Sequence, residues 1–134
     1  MIKYMLDTNI CIYIIRKKPE RVLRRLQRYR VSNIGVSAIT LSELEYGVAK
    51  SIKPQQNKLA LTEFLAPIEI VPYDDMAAQQ YGELRAHLER KGTPFGSLDM
   101  LIASHALSLK CVLVTNNEVE FRRVPGLKIE NWAK

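Results

Sequence analysis

The chain holds no CxxC pair, no cluster of cysteine with histidine, and no apolar stretch near the roughly 18 residues of a membrane span. Its two cysteines, Cys11 and Cys111, stand far apart, each in an apolar run, and read as buried free thiols. A structural zinc site needs four sulfur or nitrogen ligands, and beyond the cysteines only His87 and His105 remain. No GxSxG, Walker loop or GxGxxG occurs, so serine hydrolysis, nucleotide hydrolysis and dinucleotide binding have no support. The opening Met1–Leu6 is too short for a secretory core and runs straight into Asp7, which points to a cytoplasmic protein with no membrane partner.

Acid is also in short supply. Twenty Lys and Arg face 14 Asp and Glu, a net charge of +6, which points to a polyanionic partner or substrate. Much of the excess lies between Arg16 and Arg30, where Lys17, Lys18, Arg21, Arg24, Arg25 and Arg28 meet only Glu20. A solvated helix face and a phosphate-contacting face both fit this run, and the dominance of arginine favours the second as much as the first. What remains is ordinary. At 134 residues, 47% hydrophobic and 25% charged, residues 1–134 read as one domain with a single good core.

Short apolar strands alternate with helices. Strands are expected at Ile2–Leu6, Asn33–Val36, Ile68–Val71, Cys111–Val114 and Leu127–Ile129. Helices are expected from Ile10 to Lys17 and from Pro19, which stands in the first turn, with Val22, Leu23 and Leu26 inward and the arginines outward. Further helices follow Ser37 and Pro54, run from Asp74 or Asp75 to Arg90, from Leu98 to Leu109 with Ser97 as cap, and over Glu118–Arg122. That alternation implies an α/β protein, a parallel sheet between helical layers.

Four polar residues interrupt apolar runs: Asp7 after Met5-Leu6, Glu43 in Leu41-Ser42-Glu43-Leu44, Asp99 in Leu98-Asp99-Met100-Leu101, and Asn117 after Val112–Val114. A charge in such company is costly unless paired or bound to a metal. In parallel sheets, sites form outside the carboxyl ends of the strands. Three carboxylates and an amide gathered there make an oxygen-lined pocket suited to a hard divalent cation. Each also has a plainer role as a cap, a turn residue or a helix N-terminal acid. His105, after Ile102-Ala103-Ser104, reads as a satisfied buried histidine, and His87, one turn after Glu83, as a surface residue.

Met5-Leu6-Asp7-Thr8-Asn9, Thr40-Leu41-Ser42-Glu43-Leu44-Glu45-Tyr46-Gly47, Asp99-Met100-Leu101-Ile102-Ala103-Ser104-His105-Ala106 and Val114-Thr115-Asn116-Asn117 resemble the motifs of PIN-domain nucleases, above all VapC-type toxins of bacterial toxin–antitoxin pairs. The resemblance covers essentially the whole chain in order, and Phe121–Leu127 also fits it. It implies a PIN-like three-layer α/β/α fold with a central, mostly parallel sheet and an acidic site at the carboxyl edge of the strands. It further implies a Mg²⁺- or Mn²⁺-dependent endoribonuclease, a homodimer, held in a hetero-oligomer and neutralised by a VapB-type antitoxin. Similar enteric toxins point to a structured RNA such as tRNA.

Asp7, Glu43 and Asp99 match the family's metal-site positions. Asn117 stands where many members carry a fourth Asp, which removes one negative charge. Thr8 and Thr115 would orient water or ligands, and Arg21, Arg24, Arg25 and Arg28 would hold RNA. Two rivals fare worse. A phosphatase with an aspartyl nucleophile wants a second acid two residues on, where Asn9 stands. A catalytically silent PIN-like RNA-binding module has no use for an intact acid trio.

Overall fold

The computed structural model describes residues Met1–Lys134. In chain order it runs β1 (Tyr4–Leu6), α1 (Thr8–Arg16), α2 (Glu20–Leu26), β2 (Ile34–Ser37), α3 (Ala38–Ala49), α4 (Pro54–Leu65), β3 (Glu69–Val71) and α5 (Asp75–Arg90). It continues through α6 (Ser97–Leu109), β4 (Val112–Val114), α7 (Glu118–Phe121) and β5 (Ile129–Glu130), and a short 3₁₀ turn, Val31–Asn33, leads into β2. The five strands form one sheet in the order β3-β2-β1-β4-β5, and every neighbouring pair is parallel. The expected mostly parallel sheet is therefore wholly parallel.

Alternation along the central strands divides the apolar side chains between two cores. Met5 and Leu113 face one way and pack with Leu84, Leu88, Ile102 and Phe121. Leu6 and Val114 face the other way and pack with Ile10, Ile14, Leu44, Leu61 and Trp132. A sheet buried on both faces reads as continuous apolar runs, which is why β1 and β4 show no polar alternation. The three layers of the expected architecture follow from that division. At the centre, the space beside Gly35 is closed: a Cβ there would lie 2.9 Å from a methyl carbon of Ile2 and 3.0 Å from the Glu69 carbonyl oxygen.

Some boundaries differ from those expected. The first strand begins at Tyr4, although the Lys3 backbone already bonds to Asn33 and Val112. The second begins at Ile34 and runs on to Ser37, the third begins at Glu69, and the last begins at Ile129. Pro19 precedes α2 instead of joining its first turn, because its ψ of 151° is extended. Ser97 lies inside α6, whose cap position is Gly96 with no side-chain bond.

The order of strands reverses between β1 and β4. Chain segments leaving these two strands diverge to opposite sides of the sheet and leave a crevice at the carboxyl edge.

Candidate active site

Asp7 is the first residue beyond β1 and caps α1. Its backbone is extended (φ −77°, ψ 173°), and its Oδ1 accepts a 2.9 Å hydrogen bond from the Ile10 amide. The capping role foreseen for it is real, yet Asp7 is only 5% exposed and takes part in none of the ion pairs. Burial lifts its carboxyl to about 6, and the charges of Asp99 and Glu43 add to the rise. Hydrogen bonds from Thr115 and the Ile10 amide pull the other way.

Glu43 comes from the middle of α3. Its Oε1 accepts a 2.8 Å bond from the Thr8 hydroxyl, so Thr8 holds a carboxylate in place. The helix that presents Glu43 is itself capped by Ser37, whose Oγ accepts from the Ile39 amide at 3.0 Å and lies 2.8 Å from His105 Nδ1. His105 is 1% exposed, and burial keeps it below its ordinary value and neutral, the satisfied histidine that its apolar helix implied. His87 is half-buried, less exposed than the surface residue expected.

Asp99 occupies the first turn of α6. Burial again lifts its carboxyl to about 6, followed by the charges of Glu43 and Glu120. Thr115, fully buried after β4, accepts a 2.9 Å bond from the Asn117 amide. Asn117 is the cap of α7: its Oδ1 accepts from the Glu120 amide at 3.5 Å, and its Nδ2 donates to Glu120 Oε2 at 2.8 Å. The amide expected to stand in for a fourth acid therefore grips one. Glu120 went unnoticed in the sequence because it sits beside Glu118 in a short charged helix. The available signal was the three-residue spacing of Asn117 and Glu120, that of a capping box.

Asp7, Thr8, Asn9, Glu43, Asp99 and Asn117 line one pocket of about 170 Å³, with Phe121. No lysine, arginine or histidine lines it. The helices α1, α3, α6 and α7 all begin at this edge, and their positive ends partly offset the gathered negative charge. An all-oxygen donor set without a counter-charge fits a hard divalent cation. As placed, no three acids converge closely enough to hold an ion together.

The arginines expected to face outward do not all do so. Arg21 and Arg28 are exposed and Arg24 makes a solvent-facing 3.8 Å pair with Glu20. Arg25 is half-buried: it pairs with Glu130 at 3.3 Å and donates to the Tyr29 hydroxyl. Tyr29 stacks on Trp132, so Arg25 serves the seam that fastens the C-terminal segment.

A wholly parallel sheet with an acidic pocket at its strand-order reversal is the architecture the sequence implied, and likeness to known proteins gives the family. The chain belongs to the PIN-domain family, whose model matches residues 4–127. It is 47% identical to the tRNA(fMet)-specific endonuclease VapC of Salmonella typhimurium, over 99% of this chain and 100% of that one. To ribonuclease VapC2 of Rickettsia felis it is 48% identical, over 98% of each. The crystal structure of DNA-bound VapBC from Salmonella typhimurium superposes with a TM-score of 0.93 at 47% identity, covering 98% of this chain and 99% of that one. Identity of this order over nearly the whole chain puts the protein on the VapC branch of the family.

Proposed function

We propose that the protein is the endoribonuclease toxin of a toxin–antitoxin pair, that it depends on a divalent cation, and that a VapB-type antitoxin neutralises it. The observation that carries this reading is that Asp7, Glu43 and Asp99, with no cationic side chain among them, line one pocket at the β1–β4 crevice of a VapC-like chain. A relative named for cleaving tRNA(fMet) supports tRNA as the substrate class, and solved VapBC complexes support the partner. Homodimerisation and a cytoplasmic location complete the proposal, consistent with the absence of any helix long and apolar enough to cross a membrane.

Asp7, Glu43 and Asp99 would hold the cation, Mg²⁺ or Mn²⁺. When bound, it supplies charge neutralisation at the scissile phosphate and makes water more acidic at neutral pH. The chain's own residues do the rest. The Ile10 amide and Thr115 fix the Asp7 carboxylate, Thr8 fixes Glu43, and Asn117 holds the Glu120 carboxylate. Oriented carboxylates hold an attacking water in line with the phosphorus and accept its proton, and as the new P–O bond forms the bond to the departing ribose oxygen breaks, that oxygen taking a proton from solvent. Exposed arginines of α2 steer the polyanion.

The test is cleavage of total cellular RNA after stripping with EDTA. Activity should vanish and return with Mg²⁺ or Mn²⁺, and Glu43→Gln should lower it by at least about 10²-fold. Undiminished cleavage in EDTA contradicts the reading.

A further inference from the structure

A cavity of about 790 Å³ adjoins the carboxylate pocket and shares Thr8, Asn9 and Glu43 with it. Its walls come from α1, α3 and α4, with Leu98 of α6 at one side, and include Ile12, Leu44 and Leu61. Two cations, Arg16 and Lys50, line it, and Glu43 is its one acid. Glu45, the other acid of α3, is drawn away into a pair with Lys58. Tyr46 lines the same groove 65% exposed, one turn along α3 from Glu43, and Lys50 Nζ sits over its ring at 4.8 Å. An exposed aromatic with an ammonium on one face and open surface elsewhere is an unused stacking platform.

We infer that this groove receives an unpaired base next to the scissile phosphate of the RNA, with Tyr46 as its stacking partner and Arg16 and Lys50 on the neighbouring phosphates. The inference rests on the ribonuclease reading above. The carboxylate pocket, about 170 Å³, has room for the scissile phosphate but not for the attached nucleoside as well. The next nucleotide must enter the adjoining space, and this groove opens directly onto it. Apolar walls accept a base of any identity, whereas its cations match a phosphodiester. An amphipathic peptide would also cover apolar walls, but it has no need of an exposed ring beside the carboxylates.

The test uses full-length protein and a single-stranded RNA octamer with 2-aminopurine scanned through its positions. Binding is measured in EDTA with the Asp7→Asn protein, so that no cleavage interferes. At one position the fluorescence should be quenched on binding, and Tyr46→Phe in that background should retain both quenching and affinity. Tyr46→Ala should lose the quenching and bind about 10- to 100-fold more weakly. Lys50→Ala should weaken binding while keeping the quenching. Equal quenching and affinity in the Tyr46→Ala protein overturn the inference. So does a Tyr46→Ala protein that keeps its RNA affinity and loses affinity for a VapB-type antitoxin, since the groove then belongs to the peptide. Quenching that depends on Tyr46 in a protein whose wild type cleaves no RNA upholds this site and refutes the ribonuclease reading separately.

Discussion

Asp7 caps α1, and the proposed function gives it a second duty that sets the opposite demand on its charge. As a cap it needs only an oxygen for the Ile10 amide, which an amide side chain also supplies. As a cation ligand it needs to be ionised inside the fold, where burial holds its carboxyl at about 6. A carboxyl raised by folding adds stability that is full below the ordinary carboxyl range and lost as pH rises through about 6. Without metal, Asp7→Asn should therefore be more stable than the parent at pH 7.5, by on the order of 1–3 kcal/mol, and match it near pH 3. The same variant should cleave RNA at least about 10²-fold more slowly. A melting midpoint at or below the parent's at pH 7.5 contradicts this account of the site. Asp7, Glu43 and Asp99 were legible because each is a charge lodged among apolar neighbours. Arg25 was not, because the carboxylate that claims it, Glu130, lies 105 residues along the chain and no local pattern announces it.

Short elements do the positioning. β1 and β4 have three residues each, yet they fix Asp7 and Thr115 because both strands are buried on two faces. The helices α3 and α6 present Glu43 and Asp99, and the Ser37–His105 hydrogen bond ties the start of one to the middle of the other. Ser37→Ala removes both the cap of α3 and the partner of His105 Nδ1, and should destabilise the protein by roughly 1–3 kcal/mol in a denaturant titration. A loss within about 0.3 kcal/mol would show that neither bond matters to stability. His105, held below its ordinary value, is neutral in the fold, so its contribution persists at neutral pH and falls away as the solution becomes acidic. Element types could be read from apolar runs and from Pro, Ser and Asp punctuation. Ends such as that of α2 could not, because they depend on the ψ of a single residue, Pro19. The groove between α1, α3 and α4 was equally invisible, since it arises only when three helices meet.

Across the whole molecule, charge is divided by function: an excess of +6 overall, and a pocket lined by acids without cations. The proposed steering of RNA falls to exposed residues. Reversing Arg21 and Arg28 to Glu should flatten the salt dependence of RNA binding by roughly 0.7 in log–log slope for each phosphate left unneutralised, measured without antitoxin. An unchanged slope returns Arg21 and Arg28 to the reading of a solvated surface. Arg25→Ala should act differently, lowering the thermal midpoint because Glu130 loses its one cation and the Tyr29 hydroxyl loses the Arg25 Nε donor. The central claim is that acids from three separate elements make one cation-dependent RNA-cleaving centre. The most direct measurement is the RNA cleavage rate of the wild type and of Asp99→Asn across a Mn²⁺ titration from EDTA upward. The account predicts a wild-type rate that rises from background with the ion, and an Asp99→Asn rate at least about 10²-fold lower at every concentration that supports cleavage. An Asp99→Asn protein that cleaves at the wild-type rate with the same Mn²⁺ dependence would contradict it.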